Sequence, residues 1–408
     1  MSTGVDNEVD PLESVDVDLS AQSLLLAAAN HDLEAIKDLL KTTPATVQDA
    51  DTGFTPLHAA VAACEQAEDI SGANEESREG RKAEISKAAD TVRLLLQSGA
   101  IWNDLDAANE TPGCIAKRLG LDELYRIIVD AGVRAELLLS KLDEYEPLGD
   151  GEDPPDDETG EENPSGEGQH RENEHPALES DPSASNAAYL RSAISFNDAS
   201  ILDSAANGVM MSWERPIMER HASLLCQKPG LRVLNVGHGM GIIDEFFQSH
   251  SPSTHHIIEA HPDVLVNMRT QGWMEKPGVV VHEGRWQDVL PELVAGGENA
   301  TDALFDVIYF DTFAEDYKAS RDFFSEWVVQ LLDSDGKFSF FNGMGADRQV
   351  CYDVYNKVVE IDLFEAGFDV DWEDVPIADL AASGEWDGVR RPYWSLKVYR
   401  LPTCKFLT

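Results

Sequence analysis

Cysteine is scarce and scattered. The 408 residues hold five, Cys64, Cys114, Cys226, Cys351 and Cys404, and no two form a CxxC pair. That spacing excludes a zinc knuckle and a disulfide framework, and it suits a reducing compartment. Long hydrophobic runs are missing too. None approaches the ~20 residues needed to cross a bilayer, and the opening MSTGVDNEVDPLE is acidic rather than basic-then-apolar. The expectation is a cytoplasmic and nuclear protein with no membrane partner. Basic residues are also few, 31 Lys and Arg against 76 Asp and Glu, for a formal charge of −45. A chain of that charge lacks the basic surface through which nucleic acid binds. No direct nucleic-acid contact is expected, and a basic protein is the complementary partner.

The acidity is concentrated in one stretch. From Glu146 to Asp181 there are 14 acidic residues and one basic, Arg171. Almost no aliphatic side chains interrupt it, so burial cannot offset the entropy of ordering. Residues 146–186 read as a disordered linker between a domain over 20–145 and another over 187–408.

Before the linker, Leu24–Leu40 carries apolar residues at helical spacing and leads through DADTGF into Thr55-Pro56-Leu57-His58-Ala59-Ala60. A second passage, Thr91–Ala100, leads into Thr111-Pro112-Gly113-Cys114-Ile115-Ala116. These are turns of the T-P-L-H-x-A type found in ankyrin repeats. They lie 56 residues apart rather than ~33, and the polar insertion Glu65–Glu84 accounts for the surplus. About two and a half repeats are expected, an all-α platform for protein binding or else a structural cap on the next domain, with His58 bracing its turn.

After the linker, strands and helices alternate. LRVLNV (Leu231–Val236), THHIIEA (Thr254–Ala260), GVVVHEG (Gly278–Gly284), FDVIYFD (Phe305–Asp311) and GKFSFFNG (Gly336–Gly343) read as strands. Helices are expected between them, including RDFFSEWVVQLL and a long one from Asp347 to Leu363. RPYWSLKVYRLP reads as an edge strand. The pattern predicts one doubly wound α/β domain of about seven strands.

The sharpest local motif is Val236-Gly237-His238-Gly239-Met240-Gly241, where the first strand meets the first helix. Glycines there admit a ligand close to the backbone. Glu259 ends the next strand 22 residues after Gly237, where a carboxylate can accept both hydroxyls of an adenosine ribose. The third glycine comes early, giving GxGxG rather than the dinucleotide GxGxxG, a spacing common in S-adenosylmethionine enzymes. Asp311 ends the fourth strand, facing the crevice where such sheets bind ligands. Trp286 and Gln287, after the third strand, stand where an adenine would lie. His250, His255, His256 and His261 surround the second strand, but adjacent histidines point to opposite faces, so no metal is expected. Asn342–Arg348 and Gly384–Trp394 are expected to rim a substrate entrance.

VMMSWERPIM (Val209–Met218), LNVGHGMGIIDEFFQ, EAHPDVL, HEGRWQDV, YFDTFAEDY and FSFFNGMGADRQVCYDVY together resemble the fungal protein-arginine N5-methyltransferases. These type IV enzymes join an ankyrin N-terminus to a catalytic domain similar to guanidinoacetate methyltransferase. The likeness is close from Tyr189 to Leu401 and looser before it. It implies a seven-stranded S-adenosylmethionine-dependent methyltransferase fold. It further implies that Gly237, His238, Gly239, Met240, Gly241 and Ile242 wrap the methionine moiety, with Glu259 on the ribose. Ala260, His261, Trp286 and Gln287 would take the adenine side, and Met218 with Tyr189 would close over the sulfonium. Trp213, Glu214 and Asp311 would grip the guanidinium, Glu214 and Asp311 as the catalytic pair and Asp311 also beside the cofactor. The implied substrate is a ribosomal large-subunit protein.

The catalytic residues equally fit a small-molecule guanidino methyltransferase. A nicotinamide oxidoreductase would need a proton donor that the sequence does not reveal. An ankyrin adaptor with an inactive cofactor domain would not need both Glu214 and Asp311.

Overall fold

A computed structural model describes residues 19–64, 75–143, 186–197, 199–295 and 304–407. The expected acidic linker lies outside the described residues except Asn186, which opens a helix. Residues 65–74 of the expected polar insertion also lie outside them. The chain divides into two compact units between Ala131 and Gly132.

The described residues of the first unit are helical. α1 (Leu19–Ala29) and α2 (Leu33–Leu39) precede α3 (Pro56–Ala62), α4 (Glu75–Gln97), α5 (Pro112–Arg118) and α6 (Asp122–Asp143). The division between units falls within α6. Both Thr-Pro turns start helices: Thr55 and Thr111 cap α3 and α5 by accepting the N–H groups of His58 and Cys114, 3.3 and 3.2 Å away. Proline fits there because the first turn leaves its amide unpaired anyway. The buried His58 ring lies 2.8 Å from Thr55 Oγ1 and 3.1 Å from the Glu110 carbonyl. It ties one turn to the next. The second half of the polar insertion is helical, as the first ten residues of α4, since EESREGRKAE consists mostly of residues that lose little on entering a helix.

In the second unit, the short helix α7 (Asn186–Tyr189) leads to three strands, β1 (Ser195–Phe196), β2 (Ser200–Leu202) and β3 (Gly208–Met211). They pair antiparallel, a small sheet that sequence reasoning did not anticipate. A 3₁₀ turn, Ser212–Glu214, carries the chain into α8 (Arg215–Leu225). Then come β4 (Arg232–Val236), α9 (Ile242–Ser249), β5 (Thr254–Glu259), α10 (Pro262–Thr270), β6 (Val279–Glu283) and α11 (Trp286–Ala295). β7 (Phe305–Phe310), α12 (Tyr317–Asp322), α13 (Val329–Leu331), β8 (Leu332–Phe340), α14 (Gln349–Glu365), β9 (Phe368–Pro376) and β10 (Val398–Phe406) follow.

The seven strands β4–β10 form one sheet in the order β6-β5-β4-β7-β8-β10-β9. β6 through β8 are parallel, and β10 runs antiparallel to both β8 and β9. Alternate residues serve opposite layers: Val233 and Val307 pack with α8 and α9, Leu234 and Ile308 with α11 and the residues around α12. Burial on both faces is why these strands read as continuous apolar runs.

Two expectations need correction. The last strand starts at Val398 and lies inside the sheet rather than at its edge. Pro402 cannot donate to a ladder, which favours an edge, but its carbonyl accepts from Ser339 Oγ at 2.5 Å. The edge is β9, whose FDVDWEDVP carries the alternating charge that protects an exposed edge and disguises a strand. The expected single helix RDFFSEWVVQLL is broken by a π-helical turn over Phe323–Val328.

Candidate active site

The glycine turn closes against the neighbouring strand. Gly237 has φ +94°, and a Cβ there would sit 1.8 Å from the Asp311 carbonyl oxygen, so no other residue fits. Gly241 caps α9 with φ +75°, against the His238 ring. The free N–H groups of such a turn normally invite an anion; here they are already engaged. His238 and Gly239 donate to Glu259 Oε2 at 2.9 and 3.4 Å, and Met240 donates to Met210 Sδ at 3.2 Å. Glu259 Oε1 takes the His261 N–H at 2.7 Å. Along Gly237–Gly241 a pyrophosphate would find an acidic side chain and N–H groups that are already bonded.

Beneath the turn, buried Asp244 accepts from Asn235 Nδ2 at 2.8 Å and His238 Nδ1 at 2.7 Å, with His255 Nε2 2.9 Å away. Burial alone would favour the neutral acid, but the two histidines hold it below the ordinary carboxylate range. This network sets the tilt of the His238 ring and hence the path of the turn.

Two carboxylates face the same cleft from different elements. Glu214, 3% exposed, ends the 3₁₀ turn ahead of α8. Its Oε1 accepts the Met211 N–H at 3.1 Å and the Tyr393 hydroxyl. Burial pushes this carboxyl up to about 7, against the pull of those two bonds. Asp311 directly follows β7, pinned by its N–H to the Val236 carbonyl at 2.9 Å. Its Oδ2 is buried without a partner, and burial, then the charge of Glu214, raise it well above the ordinary range. Two carboxylates lining one cleft can together accept charge-assisted bonds from a single cation that carries several N–H groups.

Of the residues expected at the site, Tyr189, Glu214, Gly237, Gly239, Glu259, Ala260, Trp286, Gln287 and Asp311 line this one cleft. Others stand behind it. Met218 is fully buried with its sulfur 3.3 Å from the Tyr309 hydroxyl. His261 caps α10 and packs its ring 4.7 Å from that of Tyr189. Trp213 sits in an aromatic group with Trp386, Tyr393 and Trp394. His238, Met240, Gly241 and Ile242 shape the turn from behind rather than line the cleft. Trp286 meets Phe310 and Phe323 edge-on and donates its indole N–H to Glu315 at 3.0 and 3.1 Å.

Sequence reasoning missed two residues that organise the cleft. Glu315 accepts from Trp286, from Gln287 Nε2 at 3.0 Å and from Thr312 Oγ1 at 2.8 Å, joining the wall after β6 to the loop after β7. Its only signal was a place four residues past Asp311. Tyr393 reaches Glu214 from the segment expected merely to rim the entrance. Two other polar residues of β7 serve the fold: Asp306 pairs with Arg232 at 2.8 Å and Tyr309 is buried beside Met218.

The sequence profile of the family described as Guanidinoacetate N-methyltransferase matches residues 181–374. Among curated proteins, Protein arginine N-methyltransferase 2 of Aspergillus fumigatus is 54% identical, over 98% of this chain and 99% of its own. The protein of that name from Emericella nidulans is 51% identical over 97% and 99%. That from Gibberella zeae is 44% identical over 96% and 94%. With such identity along nearly its whole length, the chain belongs to the protein arginine N-methyltransferase 2 family.

Proposed function

We propose that this protein transfers a methyl group from S-adenosylmethionine to the internal, N5 guanidino nitrogen of an arginine in a basic protein. The observation that carries the reading is the pairing of Glu214 and Asp311 in one cleft with a glycine turn whose N–H groups are already taken. A turn with no free donors suits a cofactor without phosphates, and Glu259 at the end of β5 suits a ribose. Gly237, Gly239, Glu259, Ala260, Trp286 and Gln287 would hold that cofactor, which supplies an electrophilic methyl group.

An arginine guanidinium is protonated at neutral pH and its lone pairs are delocalised, so it is a poor nucleophile. Glu214 and Asp311 bind its terminal N–H groups as charge-assisted pairs. Drawing the positive charge toward those ends leaves the internal nitrogen with more lone-pair character. Orientation of that kind can supply ~7–11 kcal/mol. The internal nitrogen must shed its proton as it gains carbon, and a carboxylate or water that reaches that nitrogen would accept it. The net charge of −45 favours a basic protein, and the helical first unit, read as ankyrin repeats, would help to select it. A ribosomal large-subunit protein in the cytoplasm or nucleus is the substrate this reading favours.

The guanidinoacetate profile match supports a second reading, methylation of a small guanidino compound. One experiment separates them. The protein is incubated with methyl-labelled cofactor and basic protein extracts, and labelled protein is hydrolysed and its methylarginine identified by fragmentation. Label on the internal nitrogen supports the proposal. Label on terminal nitrogens refutes the regiochemistry, and label only on free guanidino compounds refutes the protein substrate.

A further inference from the structure

A second cavity of about 230 Å³ adjoins the cleft, with Asp311, Thr312, Glu315, Phe341 and Gly343 in the walls of both. It lies at the ends of β7 and β8, closed by α12 and α14. Phe324, Phe340, Phe341, Met344 and Val359 make it largely apolar. Its polar groups are mostly engaged elsewhere. Tyr317 donates to Asp362 at 2.5 Å and Tyr355 to Glu136 at 3.1 Å. Asn342 Nδ2 is shared among Tyr352, Asn356 and the Arg400 carbonyl. Glu315 and Thr312 bond each other. Asp311 Oδ2 is buried and unpartnered. Glu214 and the glycine turn line only the first cleft.

A polar occupant of this cavity would lose its hydration and find few groups to replace it. An apolar one would lose nothing polar and gain aromatic and thioether contact. The cavity's continuity with the cleft through Asp311 places its occupant beside whatever guanidinium Asp311 holds. Resting on the protein-arginine reading above, we infer that this cavity receives an apolar side chain next to the target arginine in the substrate protein. It thereby selects which arginines are methylated.

The test uses the full chain, S-adenosylmethionine and synthetic basic peptides with a single arginine, whose preceding or following residue is Leu, Phe, Asn or Glu. A Leu or Phe neighbour is expected to raise kcat/KM about tenfold over Asn, the discrimination a hydrophobic pocket gives for a few carbon atoms. Two variants fill the cavity from different helices, Ser320→Phe on α12 and Val359→Phe on α14. In either, the preference should fall below twofold while cofactor affinity and turnover of the Asn peptide hold. Equal kcat/KM for all neighbours in the wild type would overturn the inference, as would variants that slow every peptide alike. If no peptide accepts a methyl group while free guanidino compounds do, the protein-arginine reading fails, and this inference with it.

Discussion

The hydroxyl of Tyr393 donates to Oε1 of Glu214 across 179 residues of sequence. That bond favours the ionised carboxylate, and burial opposes it, leaving Glu214 at about 7. Neither carboxyl can grip a guanidinium when neutral, and burial raises both, so kcat/KM should fall as pH drops through the titration of the Glu214–Asp311 pair. Tyr393→Phe removes a donor to the charged form and raises the carboxyl further. The acid limb of the kcat/KM profile should move to higher pH by roughly one unit, with activity recovering by about pH 9. An unmoved limb would show that Tyr393 only packs.

Glu214→Gln and Asp311→Asn each delete one negative charge while keeping shape. Turnover should drop by roughly 100-fold or more in each, as happens when one preorganised electrostatic group is lost. Cofactor affinity, read by calorimetry, should stay within about threefold. Near-normal turnover in both variants would remove the carboxylate pair from the mechanism.

Burial of Glu214 also links stability to pH. Its carboxyl lies near 4.5 when exposed and at about 7 in the fold, so the folded state holds the proton more tightly. Stability from this group is full below pH 4.5 and is lost as pH rises through 7. The loss is on the order of 3 kcal/mol for the ligand-free protein. Glu214→Gln loses this group's share of the dependence and keeps the one that buried Asp311 contributes. Its Tm should exceed that of the wild type at pH 8.5 and converge with it by pH 5, as scanning calorimetry without ligand would show. A variant less stable at every pH would mean that the carboxylate is already fully paired.

Glu315 holds Trp286, Gln287 and Thr312 together. Glu315→Ala frees the indole and amide that form one wall of the cleft. Cofactor Kd should rise about five- to tenfold, since two or three hydrogen bonds of this kind act jointly, while kcat changes less than threefold. Trp286 fluorescence should lose its response to cofactor. If kcat falls and Kd does not, Glu315 belongs with the reacting groups instead.

Sequence reasoning reached what is local. The GxGxG turn, Glu259 and Asp311 were readable because each sits at the end of a short apolar strand, and strand ends converge in a doubly wound sheet. Glu214 carried no local signal and was found only through family resemblance. The Tyr393–Glu214 bond is invisible to periodicity, because it depends on how a loop before β10 folds back. β9 escaped because its charges obscure the alternation that marks a strand. Trp286 illustrates a subtler limit: the motif located it, but only the packing of Phe310 and Phe323 around it decides that its ring is held edge-on.

The position of β10 between β8 and β9 has a consequence for the protein's synthesis. A ribosome delivers β8 and β9 well before the strand that joins them, so for that interval β8 presents an open edge able to recruit foreign strands. The glycine turn, Glu214 and Asp311 are already made by then, but Tyr393 emerges just ahead of β10. A nascent chain thus completes the Glu214 site only when the segment just ahead of β10 appears, after the other residues of the cleft have been made.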